Sequence, residues 1–214
     1  MPYALALLPY AAVAWYRPRL ALGVLLALLP TYLVRFEVLG IPMTLLEGMV
    51  LVLAVVVLGC GRGGHPLSLP LKMRGRTIAA ASPFADRMVV LAVLWVVAGL
   101  LAAMWSDAGA AAWGIWKAYI VEPVLAYFVI RALNIFSPLR TIVLPILVGA
   151  AGVAGVAIWQ HWSGYGIPFP WFDVATRRVT SVFGYPNAVG LYLAPLVPLA
   201  FGMVAITRRR TPPL

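Results

Sequence analysis

Arg177 and Arg178 stand in tandem shortly before Pro186-Asn187, and that pair opens an apolar run. A guanidinium is planar, always charged and presents its donors as a fork, so two together suit a phosphate or diphosphate. Proline favours the first position of a helix, which predicts a helix start at Pro186 and places Asn187 in its first turn. Backbone N–H groups left free there add to the anion-binding character. Paired arginines at a membrane interface also hold ordinary lipid phosphates, and the residues by themselves leave both uses open.

Three further ionisable residues lie inside apolar runs, where a charge is costly and calls for a partner. Lys117 and Glu122 share the run 112–130, and Glu47 lies one to two turns inside the run 41–60. A spacing of five sets Lys117 and Glu122 well apart around an α-helix, so they are not expected to pair directly. Pro123 frees a carbonyl one turn earlier and bends the helix. Lys117 has a stem long enough to reach the interface, or it faces a polar cavity. At similar depth, Glu47, Lys117 and Glu122 would make one buried polar cluster, structural or functional. His161 closes a run and reads as a polar boundary residue, and His65 falls in a basic loop. Neither has an acid or nucleophile at a spacing that makes a triad. The single Cys60 excludes an internal disulfide framework and a cysteine-based metal site. Walker loops, Gly-x-Gly-x-x-Gly before a helix, and His-Glu-x-x-His are absent from the sequence. The expectation is an anion site with no metal, no cofactor and no identifiable catalytic base.

The elements that must position these residues follow from composition. The 214 residues are 64% hydrophobic and 10% charged, against about a quarter charged in soluble proteins. A soluble domain would lack polar surface to cover itself, and a bilayer removes that need. The expected fold is all-α, a polytopic transmembrane bundle of about seven spanning or near-spanning helices. Their segments are 3–16, 20–34, 41–60, 88–106, 112–130, 141–161 and 187–206, the first two short for a span of about 20 residues. The unbroken runs argue against a membrane β-barrel. Gly149, Gly152 and Gly155 are expected to allow close helix contact.

Sixteen basic against six acidic residues give a net charge of +10. In a soluble protein that excess would suggest nucleic acid as a partner. Here the basic residues cluster between apolar runs and act as topology signals, so no nucleic acid is expected. Placing 17–19, 61–87, 131–140 and 207–214 on one side gathers twelve of the sixteen there, leaving Arg35, Arg177, Arg178 and the run-embedded Lys117. That side is cytoplasmic by the positive-inside rule. The basic loop 61–87 is then cytoplasmic, with anionic lipid headgroups as a secondary contact. Loop 162–186 is external, hence periplasmic in a Gram-negative cell. The short first helix starts outside, which points to a further helix upstream.

Residues 178–193, RVTSVFGYPNAVGLYL, resemble the O-antigen ligase and O-antigen polymerase family of bacterial membrane glycosyltransferases. Arg178, Phe183, Gly184, Pro186 and Asn187 carry that likeness. Residues 32–47 resemble a segment near the start of such proteins, and residues 113–131 resemble their Lys- and Glu-bearing helix. The resemblance implies an inner-membrane enzyme that moves a glycan from an undecaprenyl-diphosphate carrier to a lipid or glycan acceptor. It needs neither metal nor nucleotide-sugar. By the same resemblance Arg178 holds the diphosphate, Arg177 and Lys117 support it, and Asn187 and Glu122 stand nearby. The family's late periplasmic loop with its proposed catalytic histidine has no counterpart in these residues, and His161 precedes the arginine motif. The chain is therefore expected to be a single transmembrane domain, the N-terminal part of a longer fold or one half of a split protein with a C-terminal partner. The alternative from another class is a small transporter or non-catalytic membrane subunit for an anionic or lipid-linked solute. Its path would be lined by Lys117, Glu122 and Glu47, although no internal repeat accompanies it.

Overall fold

The computed structural model describes residues 5–38, 41–61, 72–73, 76–77, 87–135, 138–173, 175 and 177–210. Most of the expected cytoplasmic loop 61–87 lies outside them. The chain groups into two compact units, Met1–Ala21 with Val34–Phe136, and Leu22–Leu33 with Ser137–Leu214. Among the described residues the fold is mostly helical, with seven helices: α1 (Leu7–Tyr16), α2 (Pro18–Ala27), α3 (Leu45–Gly59), α4 (Arg87–Met104), α5 (Ala110–Ala132), α6 (Leu139–Ser163) and α7 (Pro186–Ile206). The last four are long and apolar enough to cross a membrane.

The first three are shorter than their apolar runs. At about 1.5 Å per residue, the ten residues of α1 and of α2 reach only half of a bilayer's hydrocarbon core. Arg17 leaves helical geometry between them (φ −141°, ψ 71°). Past Ala27 the chain tightens into a 3₁₀ turn, Leu29–Leu33, at Pro30, which cannot continue an α-helical ladder. The run 41–60 is also not one helix. Its first residues form strand β2 (Ile41–Thr44), paired antiparallel with β1 (Arg35–Val38) in the register Arg35↔Thr44 to Val38↔Ile41. Phe36 is buried and its neighbours Arg35 and Glu37 are exposed, the alternation of a one-sided hairpin. A second, two-residue antiparallel ladder pairs Lys72–Met73 with Arg76–Thr77.

In the first unit α3 is the centre. It packs against α1 and against the C-terminal half of α5, burying Leu53, Val57 and Val129. Gly48 receives the Leu7 side chain so closely that a Cβ there would stand 2.7 Å from it. Helix α4 meets the N-terminal half of α5, where the Trp116 indole donates to the Val96 carbonyl over 3.1 Å. Arg19 donates through Nε and Nη2 to the carbonyl of Leu133 (3.3 and 3.1 Å), meeting an acceptor that the end of α5 leaves open.

Two helices carry π turns just before a proline: Lys117–Val121 ahead of Pro123 in α5, and Leu139–Val143 ahead of Pro145 in α6. A proline removes one N–H from the ladder, and the wider turn absorbs the mismatch. In the second unit α6 and α7 enclose the core Val153, Ala157, Phe183, Ala188 and Val189.

Candidate anion-binding site

Helix α6 ends where Gly164 adopts a left-handed conformation (φ 70°) and donates to the Gln160 carbonyl at 2.8 Å, the usual use of glycine as a C-terminal cap. The return of the chain to α7 is fixed by Gln160, which is 4% exposed. Its Oε1 accepts from the N–H groups of Thr180 (3.1 Å) and Ser181 (2.7 Å), and its Nε2 donates to the carbonyls of Ser181 (3.1 Å) and Gly166 (3.3 Å). Both lone pairs and both protons of the carboxamide are thus satisfied. Ser181 stands at φ 51°, and its hydroxyl donates to the Val153 carbonyl at 2.6 Å. These contacts hold residues 180–181 against α6 and set the position of the arginines just before them.

The two arginines have different commitments. Arg177 Nη1 donates to the carbonyl of His161 at 3.0 Å, and its guanidinium lies over Gly164, where any Cβ would come within 3.0 Å of it. It places a cation at the negative end of α6. Arg178 has other partners. Its N–H donates to the Trp171 carbonyl (3.1 Å), its guanidinium stacks over the Trp171 ring (5.1 Å to the centroid), and Nη2 donates to Asn187 Oδ1 (2.9 Å). Asn187 sits in the first turn of α7, which begins at Pro186 with no side-chain cap, and there Pro186 has no N–H and that of Ala188 donates to the Tyr185 carbonyl at 3.3 Å. His161, Arg177, Arg178, Val179, Pro186, Val189 and Gly190 line an open pocket of about 330 Å³. Arg177 and Arg178 beside the apolar Val179, Pro186 and Val189 make a place for an anion that carries an apolar part.

The remaining expected site residues lie in the first unit. Lys117 Nζ donates to the Pro42 carbonyl (3.1 Å) and to Glu47 Oε2 (3.3 Å). Glu47 is not one to two turns inside its helix, because α3 starts at Leu45. It sits in the first turn and closes a capping box: Thr44 Oγ1 accepts from Glu47 N–H at 3.1 Å, and Glu47 Oε2 accepts from Thr44 N–H at 2.8 Å. The π turn of α5 sets residues five apart nearly above one another, so Glu122 comes into electrostatic reach of Lys117 and Glu47 after all. One Glu122 carboxyl oxygen is buried with no partner among the described residues.

Sequence reasoning missed Gln160, Trp171, Ser181 and the place of His161 in the pocket. A lone glutamine at the end of an apolar run looks like a boundary residue, and its four partners are distant in sequence. The Thr44-x-x-Glu47 pattern did carry a signal, that of a helix start. In comparison with known proteins, no family model, no curated protein and no solved structure matches this chain. The class defined by fold and site is a helical protein with four helices able to cross a membrane and an arginine-lined pocket.

Proposed function

We propose that this chain is a multi-pass protein of the bacterial inner membrane and belongs to the O-antigen ligase/polymerase type of glycosyltransferase. Its pocket receives the diphosphate of an undecaprenyl-diphosphate-linked glycan. The observation that carries this reading is Arg178, fixed by Trp171 and Asn187 while still lining an open pocket. A guanidinium held in place needs no reorganisation as negative charge grows on the departing diphosphate, which is how a preorganised cation speeds transfer of the glycan. Arg177 supports it from the end of α6, whereas Lys117 has its charge met by Glu47 and is assigned no part in holding the diphosphate. The test is complementation of a strain lacking the gene. Arg178→Lys keeps a charge but loses the fork and should abolish transfer of glycan to the cell surface; full transfer by this variant would sink the reading.

The orientation follows the positive-inside rule and is checked by cysteine labelling in intact cells. A cysteine replacing Ser163 should react from outside and one replacing Ser68 should not. External reaction of the second would reverse the topology. The transporter alternative has its own support, the buried unpartnered oxygen of Glu122 beside Glu47 and Lys117. If Glu122→Gln abolishes movement of an anionic solute while Arg178→Lys leaves surface glycan intact, that alternative takes over.

A further inference from the structure

The pocket holds one chemical group that neither the arginine motif nor the contacts above account for. His161 belongs to the last turn of α6 and lines the same pocket as Arg178. Its carbonyl is taken by Arg177. Its side chain is exposed, and among the described residues its ring has no hydrogen-bond partner. The residue before it, Gln160, is fixed by four hydrogen bonds, and the turn after it is closed by Gly164. The last turn of α6 is therefore held at both ends, which fixes the backbone at His161.

We infer that His161 is a ligand of the anion in this pocket, binding the same phosphate-bearing molecule as Arg178 from the opposite helix end. This rests on the reading of the pocket as a diphosphate site. Imidazole suits the role in either protonation state, since each offers a phosphate oxygen at least one N–H donor. The division of labour is then plain. Arg178 is braced by Trp171 and Asn187, Arg177 donates to the His161 carbonyl, and the His161 ring adds a further donor to the same pocket. Val179, Pro186 and Val189 offer the ligand nothing to hydrogen-bond, so they select for one with hydrocarbon beside its phosphates, a lipid diphosphate in preference to free pyrophosphate.

The experiment is a titration of the full chain in phosphatidylcholine nanodiscs, with inorganic pyrophosphate in one arm and farnesyl diphosphate in the other. His161→Ala should weaken both probes roughly tenfold, the loss of one charge-assisted hydrogen bond. His161→Asn, which keeps a neutral donor, should lose less. Arg178→Lys should weaken both probes as well. Tighter binding of farnesyl diphosphate identifies a lipid source, and equal binding identifies a free phosphate. Wild-type affinity in His161→Ala beside a weakened Arg178→Lys overturns the role of His161 and leaves the arginine reading intact. Weakening by His161→Ala alone overturns the shared ligand. If neither probe binds the wild-type protein, both readings fall. Since the His161 side chain is exposed, the variants should melt with the wild type, and His161→Asn keeps the test decisive if the alanine variant does not.

Discussion

Arg178 Nη2 and Asn187 Oδ1 are joined at 2.9 Å, so the loop after α6 and the first turn of α7 hold one another through these side chains. A neutral amide braces the guanidinium without cancelling its charge. Asn187→Asp should invert that balance. The carboxylate would pair with Arg178 and favour the helix start, while repelling an incoming phosphate. The expected outcome is a melting temperature at or above wild type with diphosphate affinity reduced roughly tenfold or more. Asn187→Ala should bind better than Asn187→Asp. The reverse order in a pyrophosphate titration would mean that Asn187 does not brace Arg178.

Gln160 is the residue on which the site's shape depends. Gln160→Leu fills a similar volume but leaves the N–H groups of Thr180 and Ser181 and the carbonyls of Ser181 and Gly166 without their partner. Several orphaned groups at about 1 kcal/mol each imply a loss of about 2–4 kcal/mol. Amide hydrogen exchange should show residues 180–181 losing protection while α4 and α5 keep theirs. Unchanged protection at these two amides would show that α6 and α7 alone hold the loop.

The helices that the sequence places well are those with one uninterrupted apolar run. Segments 88–106, 112–130, 141–161 and 187–206 appear as α4 to α7 with ends shifted by a few residues, because length and hydropathy are local properties. Segment 41–60 departs from a single helix because Ile41, Pro42 and Met43 are as apolar as a helix interior yet pair with Phe36–Val38. Hydropathy does not distinguish a short strand from the start of a span, whereas the capping box at Thr44 does. α-Helical geometry keeps Lys117 and Glu122 apart, and only the π turn ahead of Pro123 changes that angle. Of the site, the arginines and Asn187 were legible from residue type. Gln160 and Trp171 were not, because their roles come from contacts with the returning chain.

In the first unit, the ion pair of Lys117 and Glu47 should contribute less than a fully buried pair and more than a surface one. Their side chains are 32% and 10% exposed, which sets the expected coupling at about 1–2 kcal/mol. A double-mutant cycle with Lys117→Met and Glu47→Gln, followed by thermal melts in detergent, measures it. Glu47→Gln alone should cost little at the helix start, since a glutamine still accepts from Thr44 N–H in a capping box. Coupling near zero would assign the stability of this corner to the capping box and the hairpin, with Lys117 contributing only through the Pro42 carbonyl.

The three glycines of α6 separate cleanly. A Cβ on Gly149 would overlap the backbone carbonyl of Ala27, whereas Cβ atoms on Gly152 and Gly155 would meet nothing within 4 Å. A backbone atom cannot rotate out of the way as a side chain can, so Gly149→Ala must push α6 off the end of α2. The expected cost is about 1–3 kcal/mol, against about zero or a slight gain for Gly152→Ala and Gly155→Ala, where alanine favours the helix. Melting temperatures of the three single variants decide it. Equal tolerance at all three positions would show that α6 does not approach Ala27 through Gly149, and the close contact would have to be sought elsewhere along the helix.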